Sequence, residues 1–460
     1  MVTNASLTAN LARLIAASDP LRTPEAVELA RRAIIDFLAC TIAGSHDTGT
    51  LAVLDVFLPL AGHGDAILIG QGRTTDPFTA ALVNGHAGHA LDYDDVHPSV
   101  RGHPTTVILP ALLAIARETP ASALELVSAY IVGVETMSRL GLALGSKHYE
   151  NGFHATATLG TIGAAAACAH LLKLKPETIA VALGLAATQS AGLRLQFGFD
   201  AKPLHAGLAA RAGLTAVKLA AAGFNGSPDF LEGPIGFFAA YGAGAARPER
   251  AVEAWGEPWQ IVSPGLILKE FPCCTATHCA AEAILSLRSE HAIDPAKIKA
   301  ITATFPPGGD AALVVREPQT GVDGRFSVEY VIATGIIDGK LGIDVFSDHP
   351  VRPEIAALAR LVERRHDETA PRMSNDPATR FTIVDVIFAD GSKLSRRVSV
   401  LRGAQDLAAK FFDAAGSDPV WAKIPHTVLT METRADLLDL LDALAANATE
   451  SESIITQSVS

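Results

Sequence analysis

A chain of 460 residues with 49% hydrophobic and 19% charged side chains exceeds one ordinary core, and its net charge of −12 argues against nucleic acid as a partner. Its five cysteines (Cys40, Cys168, Cys273, Cys274, Cys279) form no C-x-x-C pair, the pattern of reduced cytoplasmic thiols. The most apolar run, 155–172, is rich in Ala, Gly and Thr, unlike the ~20 strongly apolar residues of a membrane span, and the first residues lack the order of a secretory signal.

In chain order, residues 5–45 read as two amphipathic helices, the second starting at Thr23-Pro24 and closing at Gly44. Residues 49–60 and 76–91 read as helix around a short apolar piece, AILIGQG. Thr105–Arg117 reads as a buried helix interrupted by Pro110, followed by helices over 121–144, 155–172, 176–192 and 203–223. Small residues on their contact faces predict close antiparallel packing. The texture changes near Pro264. Residues 297–306 have strand-like content, 327–339 and 353–367 read as helices, and 380–400 as a hairpin with Asp390-Gly391 at a type I′-like turn. The expected organisation is an all-helical domain over 1–266 and 405–445, an α+β domain over 267–404, and a disordered tail, 446–460.

Chemistry concentrates in residues 84–104, NGHAGHALDYDDVHPSVRGHP, where His86, His89, His97 and His103 surround Asp92, Asp94 and Asp95. Histidine titrates near neutral pH, and neighbouring carboxylates tune it. Two interpretations stay open here: a metal site using His86, His89 and Asp92, or a metal-free acid/base pocket. Four further groups stand out. His154 precedes a helix in NGFHATATLG. Lys202 stands at a helix start in apolar surroundings, with His205 a turn later. Lys269, Cys273, Cys274 and His278 crowd the domain junction, where His278 would favour the Cys274 thiolate. Tyr330 lies on a helix of the second domain. A phosphate-binding Gly-Lys loop, a G-x-G-x-x-G turn and a G-x-S-x-G elbow are all missing, which disfavours nucleotide, nicotinamide and serine-hydrolase chemistry.

In this order the motifs NGHAGHALDYDDVH…GHPT, NGFHATATLGT, AKPLHAGLAARAG and FPCC…TH resemble the MmgE/PrpD family over residues 10–445. The resemblance implies a mainly α fold, a large helical domain with a smaller α+β lid, and a homodimer. It also implies a cofactor-free, metal-free cleft for a small anionic di- or tricarboxylate. By position, His103, His154, Lys202, Cys274 and Tyr330 would be catalytic, and Asp92, Lys269 and His278 would bind substrate. The implied chemistry is removal of a proton alpha to a carboxylate, as in 2-methylcitrate dehydratase or iminodisuccinate epimerase. Cis-aconitate decarboxylase, which has a catalytic histidine where this chain has Cys274, is an alternative. A metal-dependent hydrolase or lyase and a catalytically inactive polycarboxylate-binding protein are the other two.

Overall fold

The computed structural model describes residues 6–374, 376–404, 406–416 and 418–445; the expected tail lies outside them. The protein is mainly helical, as the sequence predicts. One hydrophobic core runs from Leu11 to Leu268 and resumes from Phe411 to Leu444, so the last helices rejoin the first ones. A second core is built from residues 273–386 together with Phe197.

Helix boundaries follow local chemistry. Pro24–Gly44 starts with Pro in its first turn and Glu25 facing the positive end of the dipole. Ala123–Leu144 starts with a capping box between Ser122 and Glu125. That helix is long and apolar enough to cross a membrane, but it is almost wholly buried and carries the Glu135–Arg139 ion pair. Thr105–Ala116 runs straight through Pro110, contrary to the expected interruption. Proline forfeits one backbone hydrogen bond there, and burial on every side holds the helix regardless.

Pro77–Ala90 is capped by Asp76, whose carboxylate accepts from the Phe78 and Thr79 amides. It packs against Ala201–Ala221 at two facing glycines. A Cβ on Gly207 would lie 2.1 Å from the Leu82 carbonyl oxygen, and one on Gly85 2.8 Å from Gly207 Cα. Only glycine admits this approach, and it fixes the end of one helix beside the start of the other.

Two strands, β1 (Ala66–Leu68) and β2 (Arg73–Thr75), form a small hairpin in the helical part. The main sheet contains β3 (Ile298–Phe305), β4 (Val362–His366), β5 (Thr382–Phe388) and β6 (Lys393–Val398) in the order β4-β3-β5-β6. β3 and β4 are parallel and the other pairs antiparallel. The Thr275–Glu290 helix packs on β5 and β6 and against Val328–Asp338. Residues 353–367 are not one helix: Pro353–Ala359 is helical and the rest is β4. Pairing with β3, and the bonds from Arg364 to Glu329, outweigh the helical propensity of VERRH. The β5–β6 turn also departs from expectation. Among 389–391 only Gly391 has positive φ (85°), and the Gly391 amide donates to the Phe388 carbonyl at 3.1 Å. This is a type I turn with a glycine bulge.

The helix Leu407–Ala415 packs on Pro24–Gly44. From it Lys410 Nζ donates to the Tyr93 carbonyl at 2.9 Å and the Lys269 carbonyl at 2.8 Å, and lies 2.6 Å from Asp36 Oδ1. A residue distant in sequence thus ties together two segments that carry the site below.

Candidate active site

A cavity of about 470 Å³ is lined from both cores, by residues 92–103 and 149–202 on one side and 269–276, 308–326 and 373–401 on the other. Four helices begin at its wall. His103 lies just before Thr105–Ala116, His154 is the N-cap of Ala155–Leu171, Lys202 sits in the first turn of Ala201–Ala221, and Cys274 is the N-cap of Thr275–Glu290. Helix N-termini carry partial positive charge and free amides, so this convergence favours an anion.

Asp92 follows the end of Pro77–Ala90 in a left-handed conformation (φ 50°). Aspartate tolerates this region better than most residues, and the turn sends its side chain towards two lysines. Asp92 Oδ1 accepts from Lys202 Nζ at 2.9 Å and from Lys269 Nζ at 2.6 Å; Lys269 also donates to the Asp92 carbonyl at 2.6 Å. Burial alone would raise the Asp92 carboxyl, but the two ammonium groups outweigh it and hold the group ionised, far below the ordinary carboxylate range. For Lys269, burial is likewise outweighed by Asp92 and Asp94, and its pKa rises. Asp92 Oδ2 is buried without a hydrogen-bond partner.

Asp94 organises two histidines. Both of its oxygens lie 2.9 Å from His89 Nδ1, and Oδ2 lies 3.3 Å from His103 Nδ1, near enough for a charge interaction but poorly aligned for a hydrogen bond. The His89 and His103 rings are 4.4 Å apart. Burial, opposed by Asp94, keeps His103 below the ordinary histidine range and takes His89 down to about 3. A neutral His103 with Nδ1–H towards Asp94 leaves Nε2 as a basic lone pair, 3.9 Å from Asp92 Oδ1. His154 Nδ1 shares a hydrogen bond with His205 Nδ1 at 3.1 Å, and its Nε2 is buried without a partner. Burial and then Lys202 hold His154 well below the usual range.

The buried histidines make the fold acid-sensitive. Burial lowers His86, His97 and His148 to about 4 and His278 to about 3. The unfolded chain takes up protons below about 6.5 that the folded chain refuses, so each site contributes stability that is full above that pH and lost as pH falls. Each costs about 1.4 kcal/mol per pH unit in that window. Thermal melts should show Tm falling steeply from pH 6.5 to 4, and a flat profile over that range would contradict the burial of these rings.

The chemistry of the donor set speaks against a metal as Asp92's resident partner. His86, a ligand only in the metal interpretation, turns away and hydrogen-bonds Thr50 Oγ1 at 3.0 Å. A different set, His89, Asp92, Asp94 and His103, offers ligand atoms within 4.8 Å of one another. Yet Asp92 Oδ1 already holds two ammonium groups, which repel a divalent ion, and Asp94 is committed to His89. His97 is also structural, on the Gln260 carbonyl at 2.9 Å.

Of the expected site residues, Asp92, His103, His154, Lys202, Lys269 and Cys274 line the cavity, whereas Tyr330 and His278 do not. The Tyr330 hydroxyl donates to the Val345 carbonyl at 2.5 Å, and its ring packs on Gly324 and Phe346. Tyr330→Phe should therefore cost about 1 kcal/mol in a denaturant melt and alter turnover by less than about threefold. His278 Nε2 bonds the Cys273 carbonyl at 3.2 Å and its ring lines a separate, smaller pocket. It does not activate Cys274: the imidazole stays neutral, and burial raises the Cys274 thiol above its ordinary value despite Lys269 and Lys202 nearby. Cys274 is a thiol here, not a thiolate.

The sequence reading missed Arg101 and Arg380, which also line the cavity. It named Asp94 and His205 within motifs it singled out but gave neither a role in the site. Among the described residues lining the cavity, four cations (Arg101, Lys202, Lys269, Arg380) face a single carboxylate, Asp92. In a chain of net charge −12 this is a local reversal that fits a small polyanion.

A family model for the MmgE/PrpD N-terminal domain matches residues 9–249, and one for the MmgE/PrpD C-terminal domain matches 271–415. A cis-aconitate decarboxylase of Aspergillus terreus (strain NIH 2624 / FGSC A1156) is 29% identical over 454 residues, covering 91% of this chain and 92% of the relative. The Homo sapiens cis-aconitate decarboxylase is 29% identical over 387 residues, 79% of this chain and 78% of the relative. That of Mus musculus is 28% identical over 387 residues, 79% and 77%.

Proposed function

The chain belongs to the MmgE/PrpD family, and from that premise we propose that it is a lyase or isomerase that makes or quenches a carbanion beside a carboxylate of a small di- or tricarboxylate. The observation that carries this is the cavity's excess of cations around Asp92, with neutral His103 and His154 alongside. A carboxylate becomes a better carbon acid when cations neutralise the enediolate-like charge that develops, and Lys202 and Lys269 are placed for that. Asp92 shares their charge and keeps both ammonium groups fixed in a buried site. His103, held by Asp94, is the base, and the Cys274 thiol is the candidate acid. The α+β unit, 267–404, acts as a lid over the helical part.

Within this class, elimination of a beta hydroxyl or inversion at the alpha carbon is our first reading, because Cys274 offers a protonated thiol opposite the histidine side. Decarboxylation of cis-aconitate is the second, favoured by the relatives' activity: the C–C bond to the departing CO2 breaks, its electron pair stays as a carbanion conjugated with a remaining carboxylate, and an acid then protonates carbon. The deciding experiment incubates the protein with 2-methylcitrate, iminodisuccinate and cis-aconitate in deuterated water and follows products by NMR. Turnover of one assigns the branch. Absence of both turnover and deuterium exchange with all three would sink the proposal, and activity abolished by chelation and restored by a divalent ion would return the metal-dependent alternative.

A further inference from the structure

Arg101 and Arg380 reach the cavity from opposite units, Arg101 from the loop before Thr105–Ala116 and Arg380 from the segment leading into β5. Neither guanidinium has an ion pair or a side-chain hydrogen bond to a described residue. Their neighbours differ: Arg194 donates from both terminal nitrogens to the Tyr149 and Ala311 carbonyls, and Arg364 donates to Glu329 and two carbonyls. Arg101 is nevertheless held firmly. Its backbone is left-handed (φ 55°), and its guanidinium lies 4.0 Å from the centre of the Tyr149 ring, whose other neighbour is Arg194 at 3.7 Å. The ring contact uses the charge of Arg101 and leaves its N–H donors free. Strained backbone at a non-glycine residue persists where the surroundings hold it, often around ligands. Burial, opposed by Tyr149 and reinforced by Arg194 and Arg380, lowers the pKa of Arg101, so the two free arginines feel each other across the cavity.

We propose that Arg101 and Arg380 form a clamp for a second carboxylate of the substrate, one arm from each unit, while the reacting carboxylate lies at Lys202 and Lys269. A planar guanidinium matches a carboxylate with two parallel hydrogen bonds, which a lysine cannot reproduce. The clamp selects acids bearing at least two separated carboxylates, and its occupation draws the two units together. This rests on the proposed reaction class only for which end reacts; the binding itself does not require turnover.

The test uses propane-1,2,3-tricarboxylate and butanoate as unreactive probes, titrated calorimetrically into the full-length protein. Arg101→Met and Arg380→Met should each weaken the tricarboxylate by about 10- to 100-fold and leave butanoate within about threefold. Arg101→Lys and Arg380→Lys, which keep charge and stem, should fall in between and guard against a methionine variant that does not fold. Equal weakening of both probes, unchanged tricarboxylate affinity in the variants, or no binding of the tricarboxylate by the parent protein would overturn the clamp. Polycarboxylate binding lost in the variants, with no turnover of any acid by the parent, would keep the clamp and remove the reaction. Turnover by the parent with unchanged affinity in the variants would do the reverse.

Discussion

Lys202→Met should lower kcat/KM by about 10²- to 10³-fold, the usual loss when one donor to a developing oxyanion is removed. The lysine is buried, at 4% relative exposure, and its ammonium shares Asp92 Oδ1 with Lys269. Two effects are mixed in the single variant. The cavity loses a cation that faces the substrate, and Asp92 keeps only one of its two compensating charges, for a stability cost of about 1–3 kcal/mol. Adding Asp92→Asn separates them. The double variant carries Lys269 alone, so its net local charge equals that of the parent, two lysines less one aspartate. Its Tm should fall further, because the fully buried Lys269 ammonium then lacks the carboxylate that chiefly offsets its burial. Its turnover should stay low, because the second ammonium position is still empty. Recovery of activity in the double variant would mean that Lys202 only offsets the Asp92 charge, and the assignment to charge stabilisation would fall.

The parts of the site that were legible in the sequence share one property: local chain geometry decides them. Asp92 and His103 sit in the one loop between two helices, so a single motif carries both. His154, Lys202 and Cys274 each mark a helix start, and helix starts are visible as Pro, Gly and polar punctuation. What was illegible depends on partners far along the chain. Nothing local says that Tyr330 turns its hydroxyl to Val345 rather than to the cavity, since a helical position fixes a direction and not a neighbour. His278 lies one turn after Cys274, yet its ring bonds backward to the Cys273 carbonyl and away from the thiol. Arg380 is an arginine before a strand, ordinary in sequence, and only the packing of the sheet against the helical part brings it to the cavity. The same holds for Val362–His366: its helical composition is overridden by a strand more than fifty residues upstream.

Asp94→Asn should cost about 10³- to 10⁴-fold in kcat, more than any other single change that leaves the cavity-lining side chains intact, because it removes the group that sets which nitrogen of His103 carries the proton. With a carboxylate at 3.3 Å from Nδ1, the proton stays on Nδ1 and Nε2 is free to accept. An asparagine amide in the same place can donate to Nδ1, which moves the ring proton to Nε2 and abolishes the base. The pH profile distinguishes this from simple misfolding. Asp94 pulls the His103 pKa upward against burial, so the parent enzyme should show an acid limb in kcat/KM with its midpoint below the ordinary 6.5. Removing that carboxylate leaves burial unopposed by it, and the midpoint of whatever activity remains should move to still lower pH. His103→Asn should lose about as much as Asp94→Asn, and the double variant little more than either, because residues that act as one unit are not additive. Additive losses in the double variant, or an acid limb that moves to higher pH in Asp94→Asn, would show that His103 and Asp94 act separately and would take the base away from His103.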